Sequence, residues 1–60
     1  MANWRWVGYY KRGKSTVEIE VRSHTRYKRI AEEAVTGKKE EMTEDGWELT
    51  AEQRLHTVRR

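Results

Sequence analysis

Few side chains in this sequence have a type and spacing that could support catalysis or bind a metal. There is no cysteine, and the two histidines, His24 and His56, lack the suitably spaced carboxylates that a zinc site would need. The acidic pairs Glu32-Glu33 and Glu40-Glu41 are adjacent residues of a predicted helix, so their side chains point about 100° apart and do not face one bond. We therefore predict a protein that is not an enzyme, with no catalytic residue, no cofactor and no metal.

A second group of residues has the chemistry of a binding surface. Aromatic rings beside cations can stack on bases, and the cations can neutralise phosphates or carboxylates. Such residues cluster between Tyr9 and Lys14, and more cations follow between residues 22 and 29. The sequence leaves open the alternative that the basic turn is only a solvated loop. The predicted partner-binding residues are Tyr9, Lys11, Arg12, Lys14, Arg22, Arg26, Lys28 and Arg29.

Charge is unevenly distributed along the chain. The net charge is only +3, but residues 1–30 hold eight Lys or Arg and two Glu, which gives +6. Residues 31–60 hold five Lys or Arg and eight acidic residues, which gives −3. This asymmetry favours a basic face for a partner and an acidic face turned elsewhere, although a high charge content also simply keeps a small protein soluble.

Length and hydropathy limit the architecture further. Sixty residues make one domain, 1–60, with a small core. No apolar run approaches the ~20 residues of a membrane span, and the N-terminus lacks the layout of a signal peptide. We expect a cytoplasmic protein with no membrane partner.

The elements that would position the basic residues begin with a β-hairpin between Trp4 and Arg22. Apolar and polar residues alternate on both sides of a turn that contains Gly13. A hairpin centred between Arg12 and Gly13 puts aromatic and β-branched side chains on one face, together with Tyr10, and mostly polar ones on the other. The predicted cross-strand partners are Trp4 with Val21, Trp6 with Ile19, Gly8 with Val17, and Arg5 with Glu20.

An amphipathic helix is predicted from about residue 25 to 43, with Ser23 or Thr25 as its N-cap. Arg29 and Glu33 have the spacing of an ion pair on its polar side. Gly37 disfavours a continuous helix, because glycine costs about 1 kcal/mol relative to alanine there. The predicted apolar stripe consists of Tyr27, Ala31, Ala34, Val35, Lys38 and Met42, with Ile30 at its margin.

A third strand is predicted after a turn at Gly46. Apolar and polar residues alternate from Trp47 to His56, and a three-stranded sheet would bury the helix better than a lone hairpin. The competing prediction is a C-terminal helix, because Thr50 and Gln53 fit a capping box and the apolar residues that follow have helical spacing. The terminal Arg59-Arg60 is expected to be frayed.

Residues 27–49, which end in Met42-Thr-Glu-Asp-Gly-Trp-Glu-Leu49, resemble a pattern in small bacterial and phage domains of unknown function. In that pattern a helix leads into a Gly-Trp-Glu-Leu strand start. The resemblance covers under half of the chain. It implies a sheet-plus-helix fold and carries no activity or functional residue with it.

The predicted fold is α+β in the order ββαβ, a three-stranded antiparallel sheet with one helix on a face and Trp4, Trp6 and Trp47 in the core. The predicted function is that of a small accessory protein, such as a phage-type adaptor, inhibitor or structural component. It would dock on a protein or nucleoprotein through the basic hairpin and an open sheet edge. The alternative is direct DNA or RNA binding by the same residues. A homodimer through a sheet edge is a further hypothesis.

Overall fold

The chain folds as two strands, a helix and a third strand. The computed structural model describes residues 2–58, so the expected fraying of Arg59-Arg60 lies outside the described residues. The strands form one antiparallel sheet in the order β2-β1-β3, and the helix packs on one of its faces. The predicted α+β class and ββαβ order are confirmed. The elements are β1 (Asn3–Arg12), β2 (Ser15–His24), α1 (Lys28–Glu44) and β3 (Glu48–Val58).

The hairpin turn lies one residue later than predicted. Gly13 and Lys14 form the loop, and only Gly13 has a positive φ, 61°, as the first central position of a type II′ turn requires. Trp6 consequently pairs with Val21, so its predicted pairing with Ile19 is wrong by two residues. The predicted faces are nevertheless correct, because side chains alternate and a shift of two residues returns each one to the same face.

The helix is continuous through Gly37. Its N-cap is Tyr27, which has no side-chain cap, whereas the Thr25 hydroxyl accepts a hydrogen bond from the Tyr27 N–H at 3.1 Å. Thr25 therefore forms a local turn before the helix, and the prediction of Ser23 or Thr25 as the N-cap is wrong. The predicted stripe is only partly buried. Ala31, Val35 and Met42 are buried, whereas Tyr27 and Ala34 are exposed.

The core lies between α1 and the inner face of the sheet. Trp6 is 1% exposed, and its ring lies so close to Gly8 that an added Cβ there would approach the ring Cζ2 to 2.9 Å. Trp4 and Trp47 are only half-buried, and Trp4 donates a hydrogen bond to the Thr25 carbonyl oxygen at 2.8 Å. The core consists of Trp6, Tyr10, Val35 and Met42, with Val17, Ile19, Val21, Trp47, Leu49 and Leu55 packed against it.

The third element is a strand, and the competing C-terminal helix is wrong. The register of β3 against β1 shifts twice, opposite the steps from Arg5 to Val7 and from Tyr9 to Tyr10. Each such bulge adds an unpaired residue and breaks the alternation of faces. As a result Leu49 packs in the core, whereas Ala51 pairs with Tyr9 on the outer face.

Candidate functional site

The predicted partner-binding residues lie at two ends of the molecule. We call residues 11–14 the hairpin tip and residues 22–29 the basic end. The first seven residues of β2, 15–21, separate them, which at ~3.3 Å per residue is roughly 23 Å. Tyr9 lies on the outer face between the two. The tip holds Lys11, Arg12 and Lys14, and the basic end holds Arg22, Arg26, Lys28 and Arg29.

At the hairpin tip, Arg12 is engaged within the molecule. Its guanidinium lies 4.4 Å from the centroid of the Trp47 ring. It also donates hydrogen bonds to the Asp45 carbonyl oxygen at 2.9 Å and to the Asp45 carboxylate at 3.4 Å. Lys11 lies opposite Glu48 in the register of β1 against β3. Acidic residues at the end of α1 and the start of β3 therefore offset the positive charge of the tip.

The outer face of the sheet carries charges of both signs. Arg5 pairs across the strands with Arg22, yet its side chain reaches diagonally to Glu20, so the predicted contact forms despite the wrong register. Glu20 also lies 3.3 Å from Arg22. The hydrogen bond from Arg5, more than the other nearby charges, holds the pKa of Glu20 below its usual value. Arg22 is thus partly neutralised by its own chain.

At the basic end, the Arg26 guanidinium lies over the Tyr27 ring, 5.3 Å from its centroid. None of the ion pairs formed by residues 2–58 involves Arg26, Lys28 or Arg29, and the predicted Arg29–Glu33 pair does not form. These cations surround two exposed apolar side chains, Tyr27 at 54% and Ile30 at 46% exposure. Together residues 26–30 line a shallow depression of about 400 Å³. The positive end of the helix dipole adds to this field.

Polar side chains in the cleft between α1 and β3 form a hydrogen bond and an ion pair with each other. Glu52 accepts a hydrogen bond from the Trp6 indole N–H at 2.8 Å and lies 3.2 Å from Lys39. The bond from Trp6 is the main cause that lowers the pKa of Glu52. Tyr10 is buried nearby with no hydrogen-bond partner for its hydroxyl, and burial raises its pKa. These residues hold helix and sheet together and leave no unpaired acid and base facing each other.

The outer edge of β2 is a regular row of free backbone groups. The two-residue turn makes Arg12 and Ser15 a hydrogen-bonded pair, so odd-numbered residues of β2 direct their N–H and C=O toward β1. The even-numbered residues direct theirs outward. This strand has no proline and no bulge over its ten residues, so it lacks two common means of protecting an edge. The outward groups belong to Thr16, Glu18, Glu20, Arg22 and His24.

Sequence reasoning proposed an open edge without choosing between the strands. The two β-bulges in β3 distinguish its edge from that of β2, and the alternating sequence pattern of β3 did not reveal them. The role of Arg12 was also missed, because Asp45 and Trp47 are distant in sequence and only the fold brings them to the hairpin tip.

The fold and these surfaces define a small α+β protein with an open edge strand and one basic end. Among residues 2–58 no three His, Cys, Asp or Glu side chains are grouped so that they could bind a metal. The one helix in this range, α1, does not have the length and apolar character needed to cross a membrane. Comparisons with protein-family models, curated proteins and solved structures find no match to this chain. The resemblance of residues 27–49 to small bacterial and phage domains therefore stays a prediction.

Proposed function

We propose that this chain is a small non-enzymatic accessory protein of the cytoplasm, an adaptor, inhibitor or structural component like those that small phage genes encode. It docks on a protein or nucleoprotein partner by adding a strand of that partner to β2. One observation carries the proposal: β2 offers an unbulged, proline-free edge over ten residues, whereas β3 is interrupted twice.

The chemistry of the edge describes the partner strand. Main-chain hydrogen bonds from the outward groups of β2 provide affinity, and side chains beside them provide specificity. Cations stand at both ends of the edge, Lys14 at the turn and Arg26 just beyond the strand, and neither forms an ion pair within residues 2–58. An extended segment with acidic residues near its ends complements this arrangement.

A pair of variants at one position tests strand addition. The N–H of Glu18 points outward, so Glu18→Pro removes a donor of the open edge and no bond to β1. Glu18→Gln removes the same charge and keeps the N–H. The variants and wild type are used to capture proteins from a lysate of the source organism. A protein that wild type and E18Q retain, but E18P does not, docks through the edge. Equal retention by both variants, with circular dichroism showing both folded, contradicts the proposal.

A second candidate function, nucleic-acid binding, is favoured by the unpaired cations around Tyr27. Cations neutralise phosphates, and an exposed ring stacks on an unpaired base. Labelled duplex and single-stranded DNA and RNA are titrated at low and high salt. Salt-sensitive binding that is lost in an Arg26→Glu, Arg29→Glu double variant and kept in Lys14→Glu supports this function. No binding at low salt rejects it.

A further inference from the structure

We propose that the strand added to β2 is β2 of a second copy of this chain. Two copies then form an antiparallel, two-fold symmetric dimer with one continuous sheet. The inference rests on the strand addition of the proposed function and names a second copy of this chain, in place of another protein, as the occupant of the β2 edge. A two-fold contact demands a surface that complements itself, and three features of the chain meet this demand.

The first feature is the order of charges along β2. With the two-fold axis through Glu20, Arg22 faces Glu18 of the second copy. With the axis through Val21, Arg22 faces Glu20 of the second copy. Symmetry makes each opposite-charge pair twice, and such directly opposed pairs stabilise a sheet. In the first register the two Glu20 carboxylates face each other, but Arg5 contacts each of them within its own chain.

The second feature is the charge asymmetry of α1. A two-fold axis perpendicular to the sheet leaves both helices on one face and makes them antiparallel. The basic start of one helix, with Arg26 and Arg29, then lies beside the acidic end of the other. Opposed helix dipoles add to this attraction. At that end Glu40 and Glu44 form no ion pair within residues 2–58, whereas Glu41 pairs with Lys38 and Asp45 with Arg12 of the same copy.

The third feature is the side of α1 that faces the β2 edge. The ion pair between Lys39 and Glu52 shows which side of the helix faces β3. At about 100° per residue, the opposite side carries Ile30, Ala34, Gly37 and Glu41. All four are exposed. An apolar residue, two small ones and an acidic one therefore lie where the second helix would approach.

Gly37 has no evident role within one copy. A Cβ added there would meet no heavy atom within 4 Å, and glycine disfavours a helix at this position. Close approach of another backbone is a common reason for glycine in a regular element. Gly37 lies near the middle of α1, as Glu20 lies near the middle of β2, so both fall close to the same two-fold axis.

The test is sedimentation equilibrium over increasing protein concentration, with wild type, Gly37→Gln and the control Thr36→Gln, which lies on the side of α1 that faces β3. Glutamine at position 37 enters open space in one copy, so the fold is retained, and circular dichroism checks this. We expect dimers for wild type and T36Q, and a dissociation constant raised at least about tenfold in G37Q. Wild type that stays monomeric at every concentration, or a G37Q variant that associates like wild type, overturns the inference.

The variant E18P separates this inference from the proposed function. If the dimer forms through β2, E18P is monomeric while E18Q is dimeric. If wild type is monomeric and a lysate protein is still lost by E18P alone, the second copy is the wrong occupant and strand addition stands. If neither self-association nor lysate binding responds to E18P, both proposals fail.

Discussion

The two outer strands of the sheet flank the same central strand, yet they present different edges. β2 pairs with β1 at every one of its ten residues, and its outward backbone groups form a regular row. β3 shifts register twice, and the Thr50 hydroxyl, near one shift, donates to the Tyr9 carbonyl oxygen at 3.0 Å. Bulges protect an edge by twisting it and interrupting its groups. The backbone groups of the β2 edge are therefore uninterrupted, whereas those of the β3 edge are not.

The largest expected effect is a loss of stability caused by a substitution in β1, the strand that pairs with both β2 and β3. Gly8→Ala forces a Cβ against the Trp6 ring, and overpacking of this kind costs about 1–3 kcal/mol. We expect urea unfolding to show this loss. The control is Gly37→Ala at a concentration where the protein is monomeric, which enters open space and should gain about 1 kcal/mol. Equal effects at the two glycines would contradict the packing described for Trp6.

A matched pair of prolines compares the edges directly. Thr57 of β3 lies opposite Trp4, whose backbone groups point toward β2, so the Thr57 N–H faces the open side of β3. We expect Glu18→Pro to weaken self-association at least about tenfold, or about 1.4 kcal/mol, and Thr57→Pro to leave it within about twofold. Light scattering after size exclusion measures both. The comparison fails if T57P weakens association as much as E18P.

The contact of Arg12 with Trp47 and Asp45 joins the hairpin to the start of β3. Removal of this side chain by Arg12→Ala loses one ring contact and exposed hydrogen bonds, so we expect about 1 kcal/mol of destabilisation. Lys14→Ala is the control, since surface substitutions without partners stay within about 0.5 kcal/mol. Thermal and urea unfolding of both variants check the difference. An R12A variant as stable as K14A would show that the contact does not hold the fold.

The smallest expected effect is the change that salt causes in the pKa of one carboxylate on each outer strand, Glu20 on β2 and Glu52 on β3. The pKa values of Glu20 and Glu52 are both lowered from the usual carboxyl value, so their contribution to stability is complete at a pH above that usual value and is lost as the pH falls through the lowered values. Salt screens the Arg5–Glu20 contact at the surface, whereas Glu52 depends mainly on the uncharged Trp6 indole. NMR titration should therefore show that salt raises the pKa of Glu20 more than that of Glu52. Equal salt responses would contradict this assignment.

Much of this fold could be predicted from local patterns. Alternation in the hairpin correctly placed Trp6 and Tyr10 on the inner face, and helical spacing identified Ala31, Val35 and Met42 as the buried side of α1. The register was wrong by two residues, because an even shift preserves every face and leaves the pattern unchanged. The turn position depends on the backbone angles of Gly13, which the alternation does not contain.

The candidate site was less predictable. The sequence placed cations near each other along the chain, but the length of β2 carries the basic end away from the hairpin tip. It also gave no sign that Arg12 is held by Asp45 and Trp47. Bulges in β3 depend on how that strand fits β1 and its core residues, so the choice between the edges needed the three-dimensional structure.

Amide hydrogen exchange at rising protein concentration tests the central claim most directly. The measurement follows the outward N–H groups of β2, such as those of Glu18 and Glu20, beside the outward groups of β3, such as those of Glu52 and Thr57. We predict that protection of the β2 amides increases with concentration while that of the β3 amides stays constant. Protection that is independent of concentration at both edges, or that rises at β3 instead, would contradict the account.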